Sequence, residues 1–326
     1  MSGAHPAPGR RTRAVAAAAV LTVTASTTAA AGHAEAYAGP ARLPALSAAT
    51  LDARYQAAGA EIARAWATAR RVRDHDRARA LSAFLAPGRR FLSFDARGRG
   101  QAVEVIGDLA AADRIAVVVP GADTALANFD SPKFVGGGSR ALYRQARAGA
   151  RAGAPAERIA VVAWLGYRPP RTLSPEVLTG GRAAAGARAL GRFLTGVHRV
   201  NARARIALLC HSYGSVVCGK AARHLGAAPV DEIALFGSPG VTAHRASDLG
   251  TSARVWAGRA GGDWTRYVPK ISFGGIGFGA DPVSPGFGAR RFDAGTGPHS
   301  AYLKPGTVAL RNLALIALGR DAEVTG

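Results

Sequence analysis

Cysteine is nearly absent from this chain. It has two, Cys210 and Cys218, and two cysteines by themselves make no zinc site. Read as the end of a strand and the second turn of the helix after it, their Cα atoms lie beyond the ~7 Å that a disulfide bridges. Two buried free thiols are expected. Lysine is scarce as well. The chain has 42 basic residues, and only Lys133, Lys220, Lys270 and Lys304 are lysine. Acidic residues number 21, so the formal net charge of +21 rests on arginine. The arginines are scattered among alanines and are not interleaved with aromatics, which argues against a nucleic-acid surface. No nucleic-acid partner is expected. Such a chain is still drawn to anionic polymers or lipids of a cell envelope. A phosphate loop is missing too. Gly214 to Ala221 reads G-x-x-x-x-G-K-A, with Ala221 where magnesium needs Ser or Thr, and with an apolar, β-branched interior.

Long Leu, Ile and Phe runs are lacking at the N-terminus. Arg10, Arg11 and Arg13 precede a small, weakly apolar stretch from Ala14 to Ala31, and Ala34-Glu35-Ala36 offers an A-x-A cleavage site. This composition reads as a cleaved export signal over 1–36 and not as a membrane anchor. The expected location is the cell envelope or outside the cell, by the general or the twin-arginine route.

The chain is organised around residues 204–220. Ile206-Ala207-Leu208-Leu209-Cys210 is the continuous apolar run of a parallel strand covered on both faces. It breaks at His211-Ser212-Tyr213-Gly214, after which Ser215-Val216-Val217-Cys218 can start a helix. A strand turning sharply into a helix around x-S-x-G is a nucleophile elbow, with Cys210 where the pattern usually has glycine. The helix N-terminus there favours developing negative charge.

Around it, helix and strand patterns alternate. Helical spacing covers 49–86, with Thr50 as a cap and Asp74-His75-Asp76 as a polar connector, ending at Pro87-Gly88. Residues 91–95 and 101–106 read as an edge hairpin, and 114–119 as a buried strand running into Pro120-Gly121-Ala122-Asp123. A helix over 139–150 follows the glycines 136–138. Then come a strand over 158–164, a helix over 180–200, the elbow and its helix to about Leu225, strands over 232–237, 254–259 and 290–293, and a closing helix over 312–318. This alternation predicts a mostly parallel sheet with helices on both faces. Export signal 1–36, helical segment 37–88 and catalytic domain 89–326 are the expected divisions. The stretch 267–289 stands apart as a glycine-rich loop in which Phe273, Phe278 and Phe287 could wall a pocket.

A nucleophilic serine needs a base and a carboxylate to orient it. After Ser212 the histidines are His224, His244 and His299. His224 is carried away along the elbow helix, and His244 comes too early. His299, in a Gly-Pro loop after the last strand, is where the base belongs. For the acid, Asp263 follows Gly261-Gly262 past the strand over 254–259, with Asp293 and Asp281 as rivals. Tyr213 and Ala122 are placed to supply oxyanion-binding N–H groups.

Four stretches taken in order, V-V-V-P-G-A-D-T, L-L-C-H-S-Y-G-S-V-V, A-L-F-G-S-P-G-V and G-P-H-S-A-Y-L, resemble one uncharacterised family of bacterial α/β-hydrolases with a helical N-terminal segment. The resemblance covers about residues 50–320. It implies an α/β-hydrolase fold and a Ser–Asp–His site at Ser212, Asp263 and His299. Chemistry by such a triad is expected to need no metal or organic cofactor. The expected activity is hydrolysis of a small-molecule or lipid carboxylic ester. Acyl transfer to an envelope glycan or other alcohol uses the same residues, and an inactive fold used for binding is the reading from outside enzymology.

Overall fold

Apolar runs covered on both faces become the middle of a sheet. A computed structural model describes residues 35–149, 157–225, 230–270, 272–273 and 276–326; the expected export segment falls almost wholly outside them. The elements are α1 (Leu51–Arg71), α2 (His75–Phe84), β1 (Arg90–Asp95), β2 (Gln101–Ile106), β3 (Arg114–Val119), α3 (Val135–Ala148), β4 (Ile159–Leu165), α4 (Gly181–Val200), β5 (Arg205–His211), α5 (Tyr213–Ala222), β6 (Glu232–Phe236), β7 (Arg254–Gly258), β8 (Ser272–Phe273), β9 (Ile276–Gly277), β10 (Arg290–Arg291) and α6 (Val308–Ala317). Eight strands form one sheet in the order β1-β2-β4-β3-β5-β6-β7-β10. Only β2 runs against the others. This is the α/β-hydrolase fold, with its helical segment α1 and α2 ahead of the sheet.

The pleat divides the core in two. Ile115, Val117 and Val119 of β3 and Ile206, Leu208 and Cys210 of β5 pack with Leu190 and Leu194 of α4 and Val216 and Val217 of α5. Their neighbours Ala116, Val118 and Leu209 pack on the other face with Leu142 of α3 and Leu313 and Ile316 of α6. Ile62 of α1 and Leu81 of α2 extend that second cluster toward β1. Arg54 of α1 donates to the carbonyl of Leu92 in β1 at 3.2 Å, so the helix lies along that edge. At the opposite edge β10 is two residues long, both exposed arginines.

Several boundaries differ from the sequence reading. The stretch 49–86 breaks at Arg73, which has φ 59°. Asp74 then caps α2, accepting from the Arg77 N–H at 3.1 Å and from the Tyr37 hydroxyl at 2.9 Å. Thr50 holds the N-cap position of α1 as expected, but its hydroxyl makes no capping bond and accepts instead from the Ser47 N–H at 3.0 Å. The glycines 136–138 lie inside α3, not before it. Gly136 lets the first helical turn pack against Phe129, and Gly138 lets it pack against Leu303.

Cys210 and Cys218 form a disulfide with Cα atoms 6.5 Å apart, which corrects the expectation of free thiols. The chain turns so sharply at Ser212 that α5 comes back beside the end of β5 and brings the two sulfurs together. Spacing along the sequence does not reveal that return.

Candidate active site

In a parallel sheet the carboxyl ends of the strands gather their loops on one edge, where ligands bind. Here β3, β5 and β7 deliver the segments that begin at Pro120, Ser212 and Arg259. Ser212 sits at the β5–α5 turn with φ 52° and ψ −126°, a left-handed backbone rare for a non-glycine residue. The turn is crowded. A Cβ on Gly214 would stand 2.4 Å from the carbonyl oxygen of Val119, and one on Gly121 would stand 2.6 Å from the Ser212 Cβ. Glycine at both places lets the end of β3 and the start of α5 close around the serine.

Ser212 Oγ lies 2.9 Å from Nε2 of His299. Nδ1 of His299 lies 2.9 and 3.0 Å from the two carboxylate oxygens of Asp263. A carboxylate only accepts, so Nδ1 carries the proton and Nε2 is free to accept from the serine hydroxyl. Asp263 is fully buried. Its Oδ1 also accepts from the N–H and the hydroxyl of Thr265, both at 2.8 Å, and its Oδ2 accepts from the Tyr302 hydroxyl. Burial alone would raise this carboxyl. The hydrogen bond and charge of His299, with the Tyr302 and Thr265 bonds, outweigh burial and hold it well below the usual carboxylate range. The acid and histidine loops are joined through their backbones: Gly261 donates to Gly295 at 2.8 Å and Gly262 to Thr296 at 3.1 Å.

The rival carboxylates are engaged elsewhere. Asp293 accepts from the Gly295 N–H at 2.8 Å, and Asp281 pairs with Arg259 at 2.5 Å.

Three contributors were not recognised in the sequence. His211 donates from Nε2 to the carbonyl oxygen of His299 at 3.0 Å, and its ring lies 4.7 Å from the His299 ring. Burial, then the neighbouring His299, push its imidazole down to about 3, against the opposing effect of that hydrogen bond. His211 is therefore neutral at ordinary pH. Tyr302, three residues beyond His299, accepts from the Ala260 N–H at 3.0 Å while donating to Asp263. Tyr167 donates to the carbonyl of Pro120 at 2.7 Å and braces the turn that holds Gly121 and Ala122. The motif G-P-H-S-A-Y-L contains Tyr302, but a local pattern does not say that its hydroxyl meets the acid.

Ser212 and His299 lie on the floor of a cavity of about 420 Å³. Ala122 and Tyr213 line it, as do Phe134, Val177, Trp264 and Phe278. Tyr213 is the first residue of α5, where helical N–H groups have no partner within the helix. Of the three phenylalanines expected in a pocket wall, Phe278 lines the cavity and packs edge-on against Tyr213 at 5.7 Å. Phe287 is buried in the core and does not line it. The side chain of Phe273 lies outside the described residues.

A family model described as alpha/beta hydrolase matches residues 95–273, more than half of the chain. The chain belongs to this family. Among relatives, an uncharacterized protein of Mycobacterium tuberculosis strain H37Rv is 31% identical over 257 residues, which is 68% of this chain and 37% of that protein. An uncharacterized protein of Mycobacterium bovis is 34% identical over 149 residues, 44% of this chain and 54% of that one. The chain thus spans well under two thirds of these relatives. Similar solved structures include an alpha/beta serine hydrolase from Xanthomonas campestris, at 15% identity and TM-score 0.42, covering 70% of this chain and 92% of that one. An esterase domain from Rhodothermus marinus has 14% identity and TM-score 0.39, covering 70% and 94%.

Proposed function

We propose that this hydrolase is a serine esterase, with Ser212 as nucleophile, His299 as base and Asp263 as the group that orients the base. The observation that carries the reading is the unbroken series of hydrogen bonds from Ser212 through His299 to Asp263 on the floor of an apolar cavity. Ser212 Oγ attacks the acyl carbonyl while Nε2 of His299 takes its proton. The N–H groups of Tyr213 and Ala122 receive the oxyanion, an interaction worth about 2.7–4 kcal/mol per donor in a comparable site. His299 passes the proton to the leaving alcohol. Water, activated by the same imidazole, then releases the acid from the serine. Asp263 stabilises the imidazolium, and its low proton affinity keeps it ionised while it does so. The residues carry every proton transfer, so the sequence of steps calls for no cofactor.

The cavity wall favours an apolar acyl group, hence a small-molecule or lipid ester. Export is part of the proposal, with a mature chain beginning near Tyr37. The Cys210–Cys218 bridge supports it, since disulfides persist in oxidising compartments. Labelling with a fluorophosphonate probe and locating the adduct by mass spectrometry tests the site. The adduct is expected on Ser212 and absent from Ser212→Ala, which removes one oxygen from the turn and leaves the fold intact. Undiminished ester hydrolysis by that variant would sink the assignment.

A further inference from the structure

We propose that the rim of the active-site cavity docks on an anionic phospholipid bilayer. The purpose of such docking rests on the esterase reading; its test does not. Seven large apolar side chains are exposed among the described residues, and four of them sit on two loops: Leu173 at 99%, Leu178 at 55%, Tyr267 at 80% and Trp264 at 48%. Both loops wall the cavity. Thr172 and Leu178 of the first and Trp264 and Val268 of the second line it. Leu173 follows Thr172 and Tyr267 precedes Val268 in the chain, and neither lines the cavity. An exposed apolar cluster of this kind marks an interaction surface, and Trp, Tyr and Leu are the side chains that enter the boundary between lipid and water.

The charges around the cluster choose the occupant. Arg168 and Arg171 are exposed on the first loop and Arg266 on the second, and Lys133 lines the mouth. The Arg266 guanidinium lies 6.0 Å over the Tyr267 ring. Of the acidic groups nearby, Glu176 pairs with Arg182 at 2.7 Å, while Asp123 accepts from the Thr172 hydroxyl at 2.5 Å and keeps its charge, with Arg99 close enough to feel it. Cations on the same loops as exposed apolar side chains suit a surface with negative headgroups over hydrocarbon. A second copy of the chain would set one arginine-rich, strongly basic molecule against another. A polyanion such as a nucleic acid or an acidic glycan offers nothing to Leu173. A bilayer serves both features, and it would set the cavity mouth directly over esters dissolved in the lipid.

The experiment uses Ser212→Ala, so that the vesicles stay intact. Cosedimentation is measured with vesicles of phosphatidylcholine alone and with vesicles that also contain phosphatidylglycerol. Binding is expected to the anionic vesicles, to fall with salt, and to weaken about tenfold or more when Leu173→Asp and Tyr267→Asp are added. With Ser212 restored, the Leu173→Asp/Tyr267→Asp protein should hydrolyse a water-soluble short ester at the parent rate. Failure of the parent to bind anionic vesicles overturns the proposal. So does equal binding by the double variant, which would mean diffuse charge attraction only. A concentration-dependent dimer abolished by the same pair of substitutions would make a second copy the occupant and overturn it too. Loss of the esterase reading would show as absent probe labelling and would leave the vesicle result standing.

Discussion

Replacing both Cys210 and Cys218 by alanine opens the covalent ring that contains Ser212. The two residues are eight apart in sequence, so the closed loop is about nine residues. Chain-entropy arguments give a loss of about 8.6 cal/mol/K from the unfolded state on closing such a loop, about 2.6 kcal/mol at 25 °C. At roughly 2–4 °C per kcal/mol, the value for domains slightly smaller than this one, the melting temperature should fall by about 5–10 °C. Both sulfurs are buried, one on β5 and one on α5, so the empty space left by alanine adds to the loss. The assay is thermal unfolding followed by circular dichroism, comparing the parent, the parent with reductant and the double variant. Thiol titration of the unfolded, unreduced parent should find no free thiols. Two free thiols in that titration, or a melting temperature within a degree of the parent, would refute the bridge and its contribution.

Asp263→Asn should lower kcat by about 10⁴, or about 5 kcal/mol, because the amide can donate to Nδ1 and favours the wrong tautomer of His299. Asp293→Asn and Asp281→Asn should cost far less, since neither carboxylate touches the histidine; steady-state kinetics on a soluble ester decides, and a large loss from either alone would move the acid. His211 is held neutral with a folded value near 3, below the ~6.5 of an unfolded histidine. Between those values the unfolded chain binds the extra proton, so stability should fall as pH drops below about 6.5, by up to about 1.4 kcal/mol per unit. His211→Gln should remove that slope in urea unfolding at pH 7 and pH 5; an unchanged slope would show that other groups carry it.

Much of this architecture is legible from local chemistry. The β5 run is continuous in apolar residues because both its faces are covered, and the break at His211-Ser212-Tyr213-Gly214 marks the turn. Gly261-Gly262 announces a tight approach ahead of Asp263, and the loop of His299 follows the last strand. What the sequence hides is return in space. The disulfide depends on α5 folding back beside β5. The Tyr302 hydroxyl meets an acid 39 residues away, and His211 meets a carbonyl 88 residues away. Phe287 is illegible for a related reason: an aromatic in a loop reads the same whether it faces a cavity or the core.

The two ends of the sheet have a consequence for the behaviour of many molecules together. At one end α1 lies along β1, and the Arg54 side chain already occupies the Leu92 carbonyl. At the other, β10 offers two residues, both exposed arginines, with Arg290 also drawn toward Asp321 at 3.3 Å. An incoming strand therefore meets α1 beside β1 at one end, and at the other only two residues and positive charge where it would land. A fibril-like ribbon shared between neighbouring molecules could grow only after β10 had peeled away from β7 and bared the next strand. Crowding the native protein should accordingly leave it monodisperse, with ordered aggregates arising from partly opened molecules alone.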